Sequence, residues 1–204
     1  MSINRNWKPL IPILLMLCLA VGCGTSPPSR LYLLDSVGRH TELPVSMNRA
    51  GWTTLGIGPV SIPSYLDRQQ IVTRLGPNRI DLAQFDKWAE PLEDNLTRIL
   101  AENLEHLLSE QQLAVLSWRS GLESEAEYRL VLDVLRLDGS LGDRVDLHLR
   151  WRLLDRQGQL LQRGRSNSRL AVQAQTYKAL TQAMSLLIFR FCQDIAQTVQ
   201  TTME

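Results

Sequence analysis

Cys23 ends the stretch Leu19-Ala20-Val21-Gly22-Cys23, closing an apolar run that follows Arg5 and Lys8. A basic start, an apolar segment and small residues at a cut are the three parts of a secretory signal. All three are present here, with Leu10 to Val21 as the apolar segment. A thiol stands where such a signal ordinarily carries a small inert residue. A thiol there offers covalent chemistry, and a lipid attached to it would contribute about 0.8 kcal/mol of membrane affinity per buried methylene, with durable anchoring from more than one chain. About twelve apolar residues at ~1.5 Å rise fall short of the ~30 Å hydrocarbon core, which argues against a stable spanning helix. The alternatives are a signal anchor, or a plain signal peptide in which Cys23 is incidental.

Other residues with chemical potential form no recognisable constellation. His40, His106 and His148 are far apart, and none belongs to a pair with zinc-ligand spacing. His106 falls on the polar side of an expected helix and His148 on the polar side of an expected strand, which predicts solvated histidines. Gly56-Ile57-Gly58 lacks a third glycine and a following helix, so it is no phosphate loop. No Gly-x-Ser-x-Gly elbow and no Cys-x-x-Cys pair occurs. Asp81, Asp86, Glu90 and Glu93 cluster in sequence, and a solvated loop running into a helix N-terminus accounts for them. The expectation is a non-enzyme with no metal and no cofactor.

The segment Ala20-Val21-Gly22-Cys23 resembles the lipobox read by lipoprotein-processing enzymes, although leucine is more usual where Ala20 sits. That resemblance implies cleavage before Cys23, which becomes an acylated first residue. Gly24 follows it. By analogy with Gram-negative lipoproteins, an aspartate there would favour inner-membrane retention, so Gly24 reads as a sorting residue for the outer membrane. Removing residues 1–22 leaves about 180 residues, enough for one domain with a substantial core. The signal carries Arg5 and Lys8 and no acidic residue, so the net charge goes from +1 to −1. Near neutrality argues against a nucleic-acid partner. Cys18 leaves with the signal and Cys23 carries lipid. Cys192 remains as a single thiol, expected to be buried and inert. The linker Gly24-Thr25-Ser26-Pro27-Pro28-Ser29 reaches roughly 25 Å at ~3.3–3.6 Å per residue, so the domain starting at residue 30 stays close to its anchor.

The remaining pattern must position whatever the domain does. Strands are expected at Arg30–Leu34, Thr54–Ile62, Gln70–Leu75, Arg79–Leu82, Leu113–Trp118, Tyr128–Leu137, Arg144–Leu153 and Leu160–Ser168. Gly56, Gly58 and Pro59 make the second of these irregular or an edge. Gly76-Pro77-Asn78 and Gln157-Gly158 are turn signals. Tyr128–Leu137 is apolar on both alternating faces and is expected to lie centrally, covered on both sides. Val145, Leu147, Leu149, Trp151 and Leu153 alternate strictly with polar residues, as in a half-buried strand. Leu92, Leu96, Ile99, Leu100, Leu104, Leu107 and Leu108 form one face of a helix starting near Pro91. Tyr177, Leu180, Met184, Leu187, Phe191, Ile195 and Val199 form the stripe of a second, over about 176–201. The fold class expected is α+β, a single domain with an antiparallel or mixed sheet packed against two long helices.

The sharpest local pattern runs Gly56-Ile57-Gly58-Pro59-Val60-Ser61-Ile62-Pro63-Ser64-Tyr65-Leu66-Asp67-Arg68-Gln69-Gln70-Ile71-Val72-Thr73-Arg74. It is followed by Trp88-Ala89-Glu90-Pro91-Leu92 and Leu100-Ala101-Glu102-Asn103-Leu104. With Leu31-Tyr32-Leu33-Leu34 and Tyr177-Lys178-Ala179-Leu180, these blocks resemble the ABC-type transport auxiliary lipoprotein family, which includes the PqiC-like lipoproteins. The resemblance implies an outer-membrane lipoprotein on the periplasmic face, serving an MCE-type lipid transport system by docking a PqiB-like MCE-domain protein. It implies no enzymatic role. Tyr65, Leu66, Asp67 and Arg68 lie between expected strands and are candidate partner-binding residues. In the plainer alternative, Tyr65 and Leu66 fold back to cap the sheet while Asp67 and Arg68 pair locally. Trp88 is expected as a core plug rather than a lipid contact. Two other functions stay open: an accessory lipoprotein that itself binds lipid between helices and sheet, and a structural lipoprotein that forms a homo-oligomer through an edge near Thr54–Ile62 or the charged face of Arg144–Arg152.

Overall fold

The computed structural model describes residues 27–37, 51–117 and 126–203. Eight strands and two long helices follow in the order β1 (Arg30–Tyr32), β2 (Thr53–Ser61), β3 (Gln70–Gly76), β4 (Arg79–Trp88), α1 (Leu92–Leu107), β5 (Leu113–Ser117), β6 (Tyr128–Gly139), β7 (Arg144–Asp155), β8 (Leu160–Ala171) and α2 (Tyr177–Met203). Pro91 stands just before α1, with Glu93 and Asp94 in the first turn at the positive end of the helix dipole. Thr176 starts α2, its Oγ1 accepting the Ala179 N–H at 3.2 Å.

The strands form one mixed sheet with β6 at its hub. One long edge of β6 pairs antiparallel with β7, which pairs antiparallel with β8. The other edge is shared. Its first half runs parallel to β2, and its last residue, Gly139, meets Thr73 of β3. The sheet thus branches into a β2–β5 arm and a β3–β4–β1 arm. Register aligns Ile57, Leu130 and Leu153 across β2, β6 and β7. These side chains are essentially fully buried with Leu104, Leu187 and Phe191 of the helices. Each such side chain contributes about 1.5–3 kcal/mol on burial. α1 packs on β2 and β5, α2 on β6, β7 and β8, and the helices touch each other. Among the described residues, the buried apolar side chains run from Leu34 to Val199.

Three expectations change. β2 is irregular, with a register shift between Ile57 and Val60, but it is interior, between β5 and β6. Of the expected edge at Thr54–Ile62, the part Leu55–Ile57 is closed to self-association, because β5 and β6 pair on its two sides. β6 is central but covered on one face only: Leu130, Leu132 and Val134 are buried while Leu135 is 40% exposed. A register shift between Val134 and Arg136 leaves Leu135 outside and returns Leu137 to the core, which is how a bulge imitates a two-faced strand in sequence. Third, β4 continues to Trp88, so Asp81 and Asp86 stand on a strand rather than in a solvated loop. Trp88 is buried, as expected of a core plug.

Candidate functional site

Cys23, Gly24 and His40 lie outside the described residues. Arg30 is the first residue of β1, and β1 is held hard. Arg30 donates to Asp86 through Nε at 2.7 Å and Nη2 at 2.6 Å, and the Tyr32 hydroxyl donates to the same carboxylate at 2.7 Å. Parallel pairing of Arg30 with Asp86 and Tyr32 with Trp88 supplies the backbone half of the clamp. The Arg30 guanidinium holds the Asp86 carboxyl below the usual carboxylate range despite its burial. Past β1, α1 takes over. Asn95 Oδ1 accepts the Leu34 N–H at 2.6 Å and its Nδ2 donates to the Leu34 carbonyl at 3.2 Å. Two turns on, Asn103 Oδ1 accepts from Ser36 Oγ and from the Val37 N–H. β1 and the residues after it are thus fixed to both β4 and α1.

The sequence blocks at Pro63–Arg68 and Trp88–Pro91 meet in space. The Trp88 N–H donates to the Gln69 carbonyl at 2.7 Å and the Ala89 N–H to Tyr32 at 2.9 Å. Asp67, Arg68 and Gln69 line a shallow pocket of about 220 Å³ with Trp88, Ala89, Glu90 and Pro91. Of the four candidate contact residues, Asp67 and Arg68 are exposed on this rim. Leu66 is buried in the core, and half-buried Tyr65 packs against it. Both follow the fold-back alternative. Burial, helped by the hydrogen bond to Asp138, pushes the Tyr65 hydroxyl up to about 12, so it acts as a neutral donor.

That acceptor, Asp138, is the centre of a polar cross-brace at the C-terminal end of β6. Its Oδ1 accepts from Arg74 Nε and Arg136 Nε, both at 2.8 Å. Its Oδ2 accepts from Arg74 Nη2 and from Tyr65, both at 2.7 Å. Arg136 continues to Asp146 at 2.9 Å. Burial alone would raise the Asp138 carboxyl, but the hydrogen bonds from Arg74, Tyr65 and Arg136 outweigh it and hold it below the usual range. Every ionised group here has a partner, so the cluster is built to hold strands together. Burial also pushes the Cys192 thiol far up, as an inert core group.

A different arrangement occupies the sheet face turned away from the helices. Arg150 and Arg152 of β7 stand directly opposite Arg165 and Arg163 of β8. With Val131 and Asp133 of β6 they line an open groove of about 630 Å³. Arg150 reaches Asp133 at 4.0 Å with both side chains half exposed. Among the described residues, no groups of His, Cys, Asp and Glu are placed to hold a metal ion, and no helix is long and apolar enough to cross a membrane.

A family model described as the ABC-type transport auxiliary lipoprotein component matches residues 32–196, most of the chain. The chain belongs to that family. Its fold is similar to a crystal structure of an uncharacterized protein, with 21% identity and a TM-score of 0.69 over 85% of this chain and 99% of that one. It is also similar to a crystal structure of a Xanthomonas campestris protein assigned to DUF330, with 18% identity and a TM-score of 0.64 over 85% and 96%. At such identities the likeness shows the fold alone. No curated protein matches the chain significantly.

As an auxiliary lipoprotein of ABC-type transport, the chain belongs among membrane-anchored envelope proteins and to a family not known for enzymes. The side chains that fix residues 30–37 carry only a faint signal in the sequence. Asn95 and Asn103 sit eight residues apart inside the leucine stripe of α1, and two amides in an apolar face are a readable signal of buried backbone partners. The arginine face carried a signal too. Arg150 and Arg152 alternate with the apolar positions of β7, and Arg163 and Arg165 recur at the same spacing in β8, but only register shows them opposed.

Proposed function

We propose that the chain is an outer-membrane lipoprotein, acylated at Cys23 and sorted with Gly24, that acts on the periplasmic face as the docking component of an MCE-type intermembrane lipid transport system. The observation that carries the reading is the family match over residues 32–196. Two features support it. The linker lands on a strand clamped by Asp86 and by α1, as suits a domain that bears load between a membrane and a partner. The family's sequence blocks converge on one rim, where Asp67 and Arg68 are exposed for contact with a PqiB-like MCE-domain protein. The space between helices and sheet is filled by side chains such as Leu55, Ile57, Leu130 and Leu132, which gives the lipid-carrier alternative no support.

Self-association is a second reading with an observation of its own. β8 pairs only with β7 among the described strands, so Leu160–Ala171 presents a long free edge. A homo-oligomer built there would coexist with docking. The test of the main reading is isolation of the tagged full-length lipoprotein from detergent extracts, with an MCE-domain protein expected among the recovered partners and its consistent absence counting against it.

A further inference from the structure

The four arginines on the open sheet face are arranged against the stability of the sheet. Like charges directly opposite across an antiparallel ladder are destabilising. Here two such pairs, Arg150–Arg165 and Arg152–Arg163, lie side by side. Arg152, Arg163 and Arg165 have no carboxylate within ion-pair distance among the described residues, and Asp133 is the one carboxylate in the groove lining. The concentration of charge is local, because the chain after Cys23 carries a net charge of −1. No packing role requires it, since all four side chains point into solvent.

We infer that this face is a docking surface for an anionic phospholipid bilayer. Guanidinium forks match phosphate oxygens two at a time, so a flat array of four suits a layer of phosphate headgroups. Exposed leucines lie on the same two flanking strands: Leu135 in β6 is 40% exposed and Leu160 in β8 is 49% exposed. A basic array with apolar neighbours is the composition of an interfacial membrane contact, whereas an acidic protein segment would have no use for the leucines. Reach agrees as well. From β1 across β4, β3, β6 and β7 to β8 is five strand spacings, roughly 24 Å. The linker spans a comparable distance, so a chain held at residue 23 can lay this face on its own membrane. The inference rests on the lipoprotein family assignment and not on the identity of the transport partner.

The test uses residues 24–204, which contain every buried core side chain among the described residues, and sedimentation with vesicles. Vesicles of phosphatidylcholine with phosphatidylglycerol should bind the domain roughly tenfold better than phosphatidylcholine alone, and added salt should erase the difference. Arg152→Gln with Arg163→Gln should lower that binding roughly tenfold or more with an unchanged thermal midpoint. Lys178→Gln with Arg190→Gln, exposed on α2 on the other side, should leave it unchanged. Equal binding to both vesicle types, or equal losses in the two double variants, would overturn the inference. Capture of a poly-glutamate peptide by the same arginines without preference for phosphatidylglycerol would also overturn it, assigning the face to an acidic protein.

Discussion

Arg74 of β3 and Asp138 of β6 form a two-pronged ion pair at the point where those strands share little backbone ladder. The guanidinium donates at 2.8 and 2.7 Å, next to the single Thr73–Gly139 register pair that joins the two arms of the sheet. Gly139 is itself fixed by the crowding there, since a Cβ on it would clash with the Arg144 carbonyl oxygen. Side chains complete a junction that backbone hydrogen bonds leave thin.

Removing the charge at that junction should be costly. Asp138→Asn leaves Arg74 and Arg136 facing a neutral amide, and the expected loss is about 3 kcal/mol in denaturant unfolding. The pH dependence has a definite sign. Because the folded Asp138 carboxyl lies below its unfolded value, its contribution is present above about pH 4 and is lost as pH falls through the folded value. Asp86 acts in the same direction. Stability should therefore drop on acidification below about pH 4, with a shallower drop in Asp138→Asn.

Gly164 and Trp151 give a prediction of unusual sign. Glycine inside a strand ordinarily costs about 0.5–1 kcal/mol, so alanine should stabilise. Here a Cβ on Gly164 would lie 2.6 Å from Trp151 Cζ2, because the indole lies across the glycine on the neighbouring strand. Gly164→Ala should destabilise by about 1–3 kcal/mol. In a Trp151→Ala background the same change should become neutral or stabilising, and a thermal double-mutant cycle reads the difference.

Stability and membrane contact should part company at Arg163. Arg163→Glu converts the Arg152 pair from repulsive to attractive and should raise stability by about 0.5 kcal/mol. The same variant should lose affinity for anionic vesicles. A chemical denaturation curve and a sedimentation assay on one preparation check both.

Cys23→Ala should leave the fold intact, since every buried core side chain among the described residues lies after Cys23. Expressed in its native host, the variant should move out of the membrane fraction, with circular dichroism of the recovered domain unchanged. Persistence in that fraction without a partner would argue against lipid anchoring.

Much of the architecture was legible because apolar period and turn chemistry agree. The leucine stripe of α1 and the strict alternation of β7 are one-body signals, and Gly76-Pro77-Asn78 and Gln157-Gly158 mark their turns directly. What escaped depends on pairs. The bulge at Leu135 makes β6 look two-faced, since a shifted register mixes two phases in one string. Asp86 looked like part of an acidic lead-in because its partner Arg30 is 56 residues away. β2 looked like an edge because glycine and proline weaken a strand, yet α1 covers it and β5 and β6 flank it. For the candidate contact residues, the segment was found but not the split within it. Leu66 faces the core while Asp67 and Arg68 face solvent, a distinction set by the short turn in which the Leu66 N–H donates to the Pro63 carbonyl at 2.9 Å.

The most direct measurement of the proposed function is affinity isolation of the full-length, lipid-bearing chain from detergent-solubilised envelopes, followed by identification of what comes with it. An MCE-domain protein should be recovered in constant proportion, and Asp67→Arg with Arg68→Glu on the exposed rim should reduce that proportion. A well-expressed lipoprotein that repeatedly brings down no MCE-domain protein would contradict the account.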